Sequence, residues 1–151
     1  MMPAPNRTCI PFVKASACGN DFLIMQGEHV SSEIYDITRR ACHRNQGIGA
    51  DGVEWLFPAA GADIRARLLN ADGSEAEISG NGTRCVAAYL CSQQPRKSVA
   101  IETGAGVKVC TFLGSAGSTF EFEIAMGKPQ VNPPRALQIE SGVVSGISVS
   151  M

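Results

Sequence analysis

Short runs in which apolar and polar side chains alternate recur along the chain and predict a fold rich in β-strands. The clearest is residues 62–70, where Ile64, Ala66 and Leu68 fall on one face and two arginines on the other, as in a half-buried strand. Further strands are predicted at 10–15, 21–25, 52–57, 98–103, 107–112, 119–126 and 142–151.

One segment has the periodicity of an amphipathic helix. In residues 31–44 the apolar side chains of Ile34, Ile37 and Ala41 repeat at helical spacing behind a serine cap. Acidic residues lie in its first turn and arginines near its end, where each charge complements the helix dipole. This pattern predicts a helix on the outside of the fold.

A second helix is predicted at residues 82–94, and Pro95 stops it. Between Cys85 and Cys91 it is apolar on every side, which indicates a helix surrounded by other elements. A strand-rich chain around one such helix predicts an α+β fold, with a curved sheet or barrel wrapped around a central buried helix.

Composition limits the classes of protein that fit. The 151 residues are 44% apolar and 18% charged, with a net charge of −1, which is typical of one globular domain spanning residues 1–151. The charge balance predicts neither nucleic acid nor an anionic membrane as a partner. The apolar runs are too short for a membrane span, and no signal peptide is visible, so a cytoplasmic location is expected.

The six cysteines are interpreted as free thiols in a reducing compartment, since no C-x-x-C spacing favours a zinc or redox site. No metal site is predicted.

The stretch "NADGSEAEISGNGTRC", residues 70–85, sits where the buried helix should begin. Unpaired backbone N–H groups and the helix dipole make such an end a binding site for carboxylate or phosphate. Gly80 and Gly82 lack side chains and would let a ligand approach the backbone closely. The alternative is structural: Ser79 is only an N-cap and the glycines only a turn.

This stretch resembles a signature of the diaminopimelate epimerases, Asn-Ala-Asp-Gly-Ser-Glu-Ala-x-x-Cys-Gly-Asn-Gly-x-Arg-Cys. Other segments resemble family motifs in the same order along the chain. These are "GNDFLI" (19–24), "RNQGIGADGVEWL" (44–56), "IETGAGVKV" (101–109) and "MGKPQ" (126–130).

The resemblance implies a fold of two similar halves and an epimerase without pyridoxal phosphate, metal or other cofactor. Two cysteines, each at the N-terminal end of a central helix, would exchange the α-proton on opposite faces of the substrate. Such an enzyme converts LL- to meso-diaminopimelate for lysine and peptidoglycan precursors. By position, Asn20 and Asn70 match substrate-binding asparagines, and Gly80 and Asn81 match the backbone cradle for the α-carboxylate. The alternative for both asparagines is a turn-forming role.

The chain departs from the family pattern at the first catalytic position, where Ser79 replaces cysteine. An alcohol has a pKa of about 15.7, against about 8.5 for a thiol, so forming its reactive anion costs more by on the order of 10 kcal/mol. A serine base would need an adjacent base, and neither His29 nor His43 lies in a motif that supplies one. Cys18 is expected to be a buried spectator rather than a displaced catalytic thiol, and Cys85 to belong to the core.

An engineered Cys→Ser change, a related racemase, isomerase or dehydratase with a serine base, and a non-catalytic amino-acid-binding homologue remain alternatives. The resemblance places the second base in a following half, so this chain is expected to be an N-terminal half that does not invert an amino acid alone. An apolar face towards that half would favour pairing with it or with another copy, as a homodimer.

Overall fold

In a computed structural model, the structure describes residues 9–150. The strands are β1 (Phe12–Ala17), β2 (Asn20–Gln26), β3 (Gly52–Phe57), β4 (Ile64–Asn70), β5 (Glu75–Ala76), β6 (Ser98–Thr103), β7 (Gly106–Ala116), β8 (Thr119–Ile124), β9 (Gln130–Val131), β10 (Arg135–Ile139), β11 (Gly142–Gly146) and β12 (Val149–Ser150). The helices are α1 (Glu33–Cys42) and α2 (Gly80–Gln93).

The main sheet has the strand order β1-β2-β3-β4-β6-β7-β8, with β5 paired to β4. The β2–β3 and β4–β6 pairs are parallel and the others antiparallel. Both ends of the sheet, β1 and β8, contact α2, and so do β2, β4, β6 and β7. The sheet therefore curls around α2, which confirms the predicted α+β fold with a central helix.

Two hydrophobic cores lie on opposite faces of this sheet. The inner core packs α2, including Val86, against side chains such as Ile101. The outer core packs α1 against Trp55 and Leu69. Within it the Trp55 indole N–H donates a 2.9 Å hydrogen bond to the Thr38 hydroxyl, so neither buried polar group is left unpaired. Because β3 lies between the two cores, all six of its residues are buried.

Three details differ from the sequence-based expectations. Ser32 is the N-cap residue of α1, but its side chain makes no capping hydrogen bond. Residues 142–151 were expected to form one strand. Instead, β11 pairs with β10 and β12 pairs with β9, so the expected strand is divided into two short strands with different partners. The short strands β5, β9 and β10 were not predicted, since two-residue strands and the proline-rich segment before Arg135 show little alternation.

The expectation of a buried Cys18 is also wrong. Cys18 is exposed and has a φ of 49°, beside Gly19 with a φ of 91°. The two residues form the tight turn between β1 and β2, where positive φ values match the twist of the hairpin. Cys85 is buried in the inner core as expected, and all six cysteines are free.

The motifs noted in the sequence lie together at one end of the sheet. The strand β2 begins at Asn20, and its parallel neighbour β3 begins at Gly52. The antiparallel β4 ends at Asn70, which is the register partner of Gly52. Segments that are far apart in sequence therefore reach the same edge.

Candidate functional site at the start of α2

The first turn of α2 is capped by Ser79. The backbone of Ser79 is extended, and the Ser79 hydroxyl oxygen accepts a 3.1 Å hydrogen bond from the Gly82 N–H. Its carbonyl accepts hydrogen bonds from the backbone N–H and the hydroxyl of Thr83, at 2.8 and 2.7 Å. Within residues 9–150, the N–H groups of Gly80 and Asn81 donate to no protein acceptor. The positive end of the helix therefore presents two donors to a ligand.

The two glycines of this turn have different reasons to lack a side chain. A Cβ on Gly82 would overlap the carboxyl oxygen of Glu54, so packing inside the protein requires glycine there. A Cβ on Gly80 would meet only the Arg84 guanidinium at 3.5 Å and the Met126 methyl at 3.8 Å, which is ordinary contact. Packing alone does not require glycine at 80, and its absent side chain leaves the backbone donors accessible.

A chain of hydrogen bonds connects the start of β2, the residue before β3 and the first turn of α2. The Asn20 amide nitrogen donates to Asp51 Oδ2 at 3.0 Å, and the Asn20 amide oxygen accepts from Asn81 Nδ2 at 2.9 Å. The Asn81 amide oxygen accepts a long 3.4 Å bond from Arg84 Nη1. These contacts fix both asparagine amides, and Arg84 adds a positive charge beside the open N–H groups of the helix.

Behind Asn20 lies a cluster of charged side chains. The Arg44 guanidinium donates to the carboxylates of Asp21 and Asp51, each at 2.8 Å, and Lys14 lies 3.1 Å from Asp21. The hydrogen bond from Arg44 is the main reason that the pKa of Asp21 is well below its usual range. The pKa of Asp51 is lowered chiefly by the hydrogen bond from Asn20. Both carboxylates stay charged at neutral pH; Asp51 holds the asparagine amide, and Asp21 holds Arg44 and Lys14.

Asn70 lies at the same end of the sheet, but its side chain bonds within the turn that follows β4. Its amide nitrogen donates to the Ser74 hydroxyl at 2.9 Å, and its backbone N–H donates to the Ser74 carbonyl. The structure therefore brings Ser79, Gly80, Asn81 and Asn20 together, while Asn70 supports the adjoining turn. A substrate-binding role for Asn70 remains a prediction.

The Cys85 thiol near this end is not activated. Burial raises the pKa of Cys85 to about 12, so its thiol is protonated at neutral pH. Within residues 9–150, no three His, Cys, Asp or Glu side chains gather in a way that would hold a metal ion. Ser79, the N-cap residue of α2, carries an alcohol rather than a thiol.

A cleft of about 660 Å³ opens between β1, α2 and the start of β8. Its lining includes Cys18, Arg84, Cys85 and Tyr89, but not the Ser79–Asn81 turn. The cleft lies along the side of α2 where the curled sheet does not close. The chemistry of anion binding favours the helix end over this cleft as the candidate site.

Sequence reasoning missed the roles of Asp51, Arg44 and Glu54. The first two lie in the glycine-rich segment whose resemblance was noted, but nothing in the sequence shows that Asp51 bonds to Asn20 or Arg44 to Asp21. Glu54 could have been singled out from the sequence, since it is the one acidic residue in the apolar run "GVEWLF".

Among residues 9–150, no helix is long and apolar enough to cross a membrane.

Comparison with known sequences identifies close relatives. Residues 12–131 match the family model described as diaminopimelate epimerase. Proteins named diaminopimelate epimerase from Desulfovibrio desulfuricans and Heliobacterium modesticaldum are 38% and 39% identical to the chain. The matches cover 82% and 80% of this chain but 44% and 45% of the relatives. The chain therefore spans less than half the length of these relatives.

Solved structures share the fold at lower identity. A probable proline racemase from Agrobacterium radiobacter, with bound carbonate, has a TM-score of 0.74 and 18% identity, covering 93% of this chain and 49% of that one. A hydroxyproline epimerase from Agrobacterium vitis, with bound trans-4-hydroxy-L-proline, has a TM-score of 0.71 and 18% identity, covering 93% and 48%. The curled sheet around a central helix is common to all three chains.

Proposed function

This chain belongs to the diaminopimelate epimerase family, and we propose that it forms one half of a cofactor-independent amino-acid epimerase site. The α-carboxylate of diaminopimelate would bind at the N-terminus of α2. The observation that carries the proposal is the pair of open N–H groups at Gly80 and Asn81, beside a glycine that packing does not require.

The surrounding contacts support an amino-acid ligand. Asn20 and Asn81 each keep hydrogen-bonding capacity beyond their mutual contact, because an amide has two donors and an acceptor oxygen with two lone pairs. Arg84 adds positive charge beside the carboxylate position. When the α-hydrogen leaves as a proton, negative charge develops on that carboxylate, and donors already in place would stabilise it.

Inversion requires a group on each face of the α-carbon, one to remove the proton and one to deliver it. This chain supplies Ser79 for one face. The relatives are more than twice as long as the matched segment, which supports placing the second group in a following half. Exposed apolar side chains between 131 and 149 would suit packing against that half or another copy. They are Val131, Leu137, Ile139, Val143, Val144, Ile147 and Val149.

A second candidate is amino-acid binding without turnover. Ser79 in place of a thiol, with the nearby Cys85 thiol held protonated, favours this alternative. A third candidate, suggested by the same serine at position 79, is a related racemase, isomerase or dehydratase that uses a serine base.

Hydrogen exchange at the substrate α-carbon in D₂O separates these possibilities. The chain would be incubated with diaminopimelate alone and together with the C-terminal half of a family relative. The epimerase proposal predicts α-deuteration and inversion when both halves are present. Binding detected by calorimetry with no deuteration would support the binding-only alternative, and inversion by the chain alone would contradict the half-site proposal.

A further inference from the structure

The turn between β6 and β7 belongs to the segment "IETGAGVKV", which the proposed chemistry has not used. Gly104 lies in this turn. A Cβ on Gly104 would stand 2.8 Å from the Glu77 Cα and 3.0 Å from the Glu77 carbonyl oxygen. The φ of Gly104 is outside the positive range, so its backbone conformation does not require glycine. Glycine is required there because two backbones lie in direct contact.

The pairing of β4 explains why these two backbones meet. The strands β5 and β6 share one edge of β4, since β3 occupies the other edge. The last register pair of the parallel β6 is with Arg65, and that of the antiparallel β5 is with Leu68. The residues that follow these pairs, Gly104 and Glu77 among them, therefore converge on the same short stretch of β4.

The Glu77 side of this contact is the less firmly held. The β6–β7 turn has its own hydrogen bonds, because the Thr103 hydroxyl donates to the Gly106 carbonyl at 2.7 Å and accepts from the Ala105 N–H at 3.2 Å. Within residues 9–150, Glu77 and Ile78 make no backbone–backbone hydrogen bond. Packing holds the segment between β5 and α2, so this segment moves when the contact is crowded.

That segment leads directly into the candidate site. Ser79 comes two residues after Glu77, and it accepts both cap hydrogen bonds of α2, from the N–H groups of Gly82 and Thr83. The helix does not follow a shift of Glu77, because Gly82 already lies against the carboxyl group of Glu54. Burial raises the pKa of that carboxyl to about 8, so it is a neutral, buried wall at pH 7. A shift of Glu77 therefore moves Ser79 relative to the helix.

Resting on the proposed function, we propose that Gly104 is a positioning residue that acts through Glu77 on Ser79. By leaving room for the Glu77 backbone, Gly104 sets the distance between the Ser79 oxygen and a ligand whose carboxylate is bound at the start of α2. A displacement of about 1 Å can cost about 10²-fold in rate even when its cause lies far from the chemistry. This backbone contact is therefore part of what prepares the site.

The contact and its effect are tested first without ligand, by NMR. In wild type, the α-hydrogens of Gly104 and Glu77 should give a nuclear Overhauser effect, and its absence would overturn the proposal. In Gly104→Ala, the added methyl group should displace Ser79 and lengthen both cap hydrogen bonds, so the Gly82 and Thr83 amide protons should move upfield. Changes confined to the β6–β7 turn, with both amide signals unmoved, would also overturn it.

Gly106→Ala is the matched control in the same turn. Gly106 has a φ of 86°, so alanine strains the turn, but no atom lies within 4 Å of its Cβ position. This variant should lower stability and leave the Gly82 and Thr83 amide signals unchanged. If it moved them as far as Gly104→Ala does, general disruption of the turn would explain both variants, and the proposal would fail.

The effect on chemistry is measured by α-deuteration of diaminopimelate with both halves present, in the Ser79→Cys background. Gly104→Ala should lower the rate at saturating diaminopimelate by about 10²-fold and change the affinity less, because the base moves while the carboxylate donors stay in place. An unchanged rate at saturation in the folded variant would assign Gly104 a purely structural role and contradict the proposal.

Failure of the proposed function has a different signature. If diaminopimelate binds but neither the Ser79 nor the Ser79→Cys protein exchanges its α-hydrogen, the proposed function fails. The amide signals of Gly82 and Thr83 still decide whether Gly104 positions Ser79.

Discussion

The side-chain amide of Asn81 donates a 2.9 Å hydrogen bond to the amide oxygen of Asn20, which joins the first turn of α2 to the start of β2. Asn20 is held in turn by Asp51, which directly precedes β3. The end of the sheet and the end of the helix are thereby fixed relative to one another, as a preorganised binding site requires.

Asn20→Ala should weaken diaminopimelate binding by about 1–3 kcal/mol, because Asn81 and Asp51 lose a partner and the ligand loses a donor. Titration calorimetry measures the effect. Asn132→Ala is the control, since its amide bonds to Ser148 at the β9–β12 pair. Equal affinity of wild type and Asn20→Ala would assign Asn20 to turn formation.

Asn70→Ala is expected to weaken diaminopimelate binding as well. Unchanged affinity of this variant by calorimetry would assign Asn70 to formation of the Ser74 turn.

The two glycines of the α2 turn should respond oppositely to alanine. Gly82→Ala should lower the free energy of unfolding by about 1–3 kcal/mol, since its methyl group would overlap Glu54. Gly80→Ala should keep or slightly raise stability but weaken ligand binding, because its methyl group would stand over the open N–H groups. Urea unfolding and calorimetry on both variants check this. Full binding by a folded Gly80→Ala protein would argue against the carboxylate cradle.

Glu54 should make stability fall as pH rises from about 4.5 to about 8, because the folded state holds its proton across that range and the unfolded state does not. The loss approaches 1.4 kcal/mol per pH unit within the window and stops above it. Glu54→Gln removes this contribution, so its stability relative to wild type should increase between pH 5 and pH 8. If the difference in urea midpoint between Glu54→Gln and wild type stayed constant over this pH range, the raised pKa of Glu54 would be contradicted.

Ser79→Cys should increase α-deuteration when both halves of the site are present, because forming the thiolate costs less than forming the alkoxide by on the order of 10 kcal/mol. Ser92→Cys is the matched control, since it places a thiol on the last turns of the same helix, away from the site. No gain from a folded Ser79→Cys variant would show that the alcohol does not limit exchange.

Much of the fold was predictable from periodicity. The strand at 52–57 was placed without error, and the all-apolar α2 correctly indicated a helix enclosed by a sheet. Local pattern does not report long-range contacts, so the hydrogen bonds that Asn20 donates to Asp51 and that Asp21 accepts from Arg44 were missed. Cys18 was misplaced because apolar character says little about a residue whose backbone must adopt a positive φ in a tight turn.

The most direct measurement of the central claim is the ¹⁵N–¹H NMR spectrum of the chain during titration with diaminopimelate. If the start of α2 binds the α-carboxylate, the amide signals of Gly80 and Asn81 should move downfield more than those elsewhere, and Gly80→Ala should reduce the response. Shifts confined to the cleft beside Tyr89, with the Gly80 and Asn81 amides unmoved at saturation, would contradict the account.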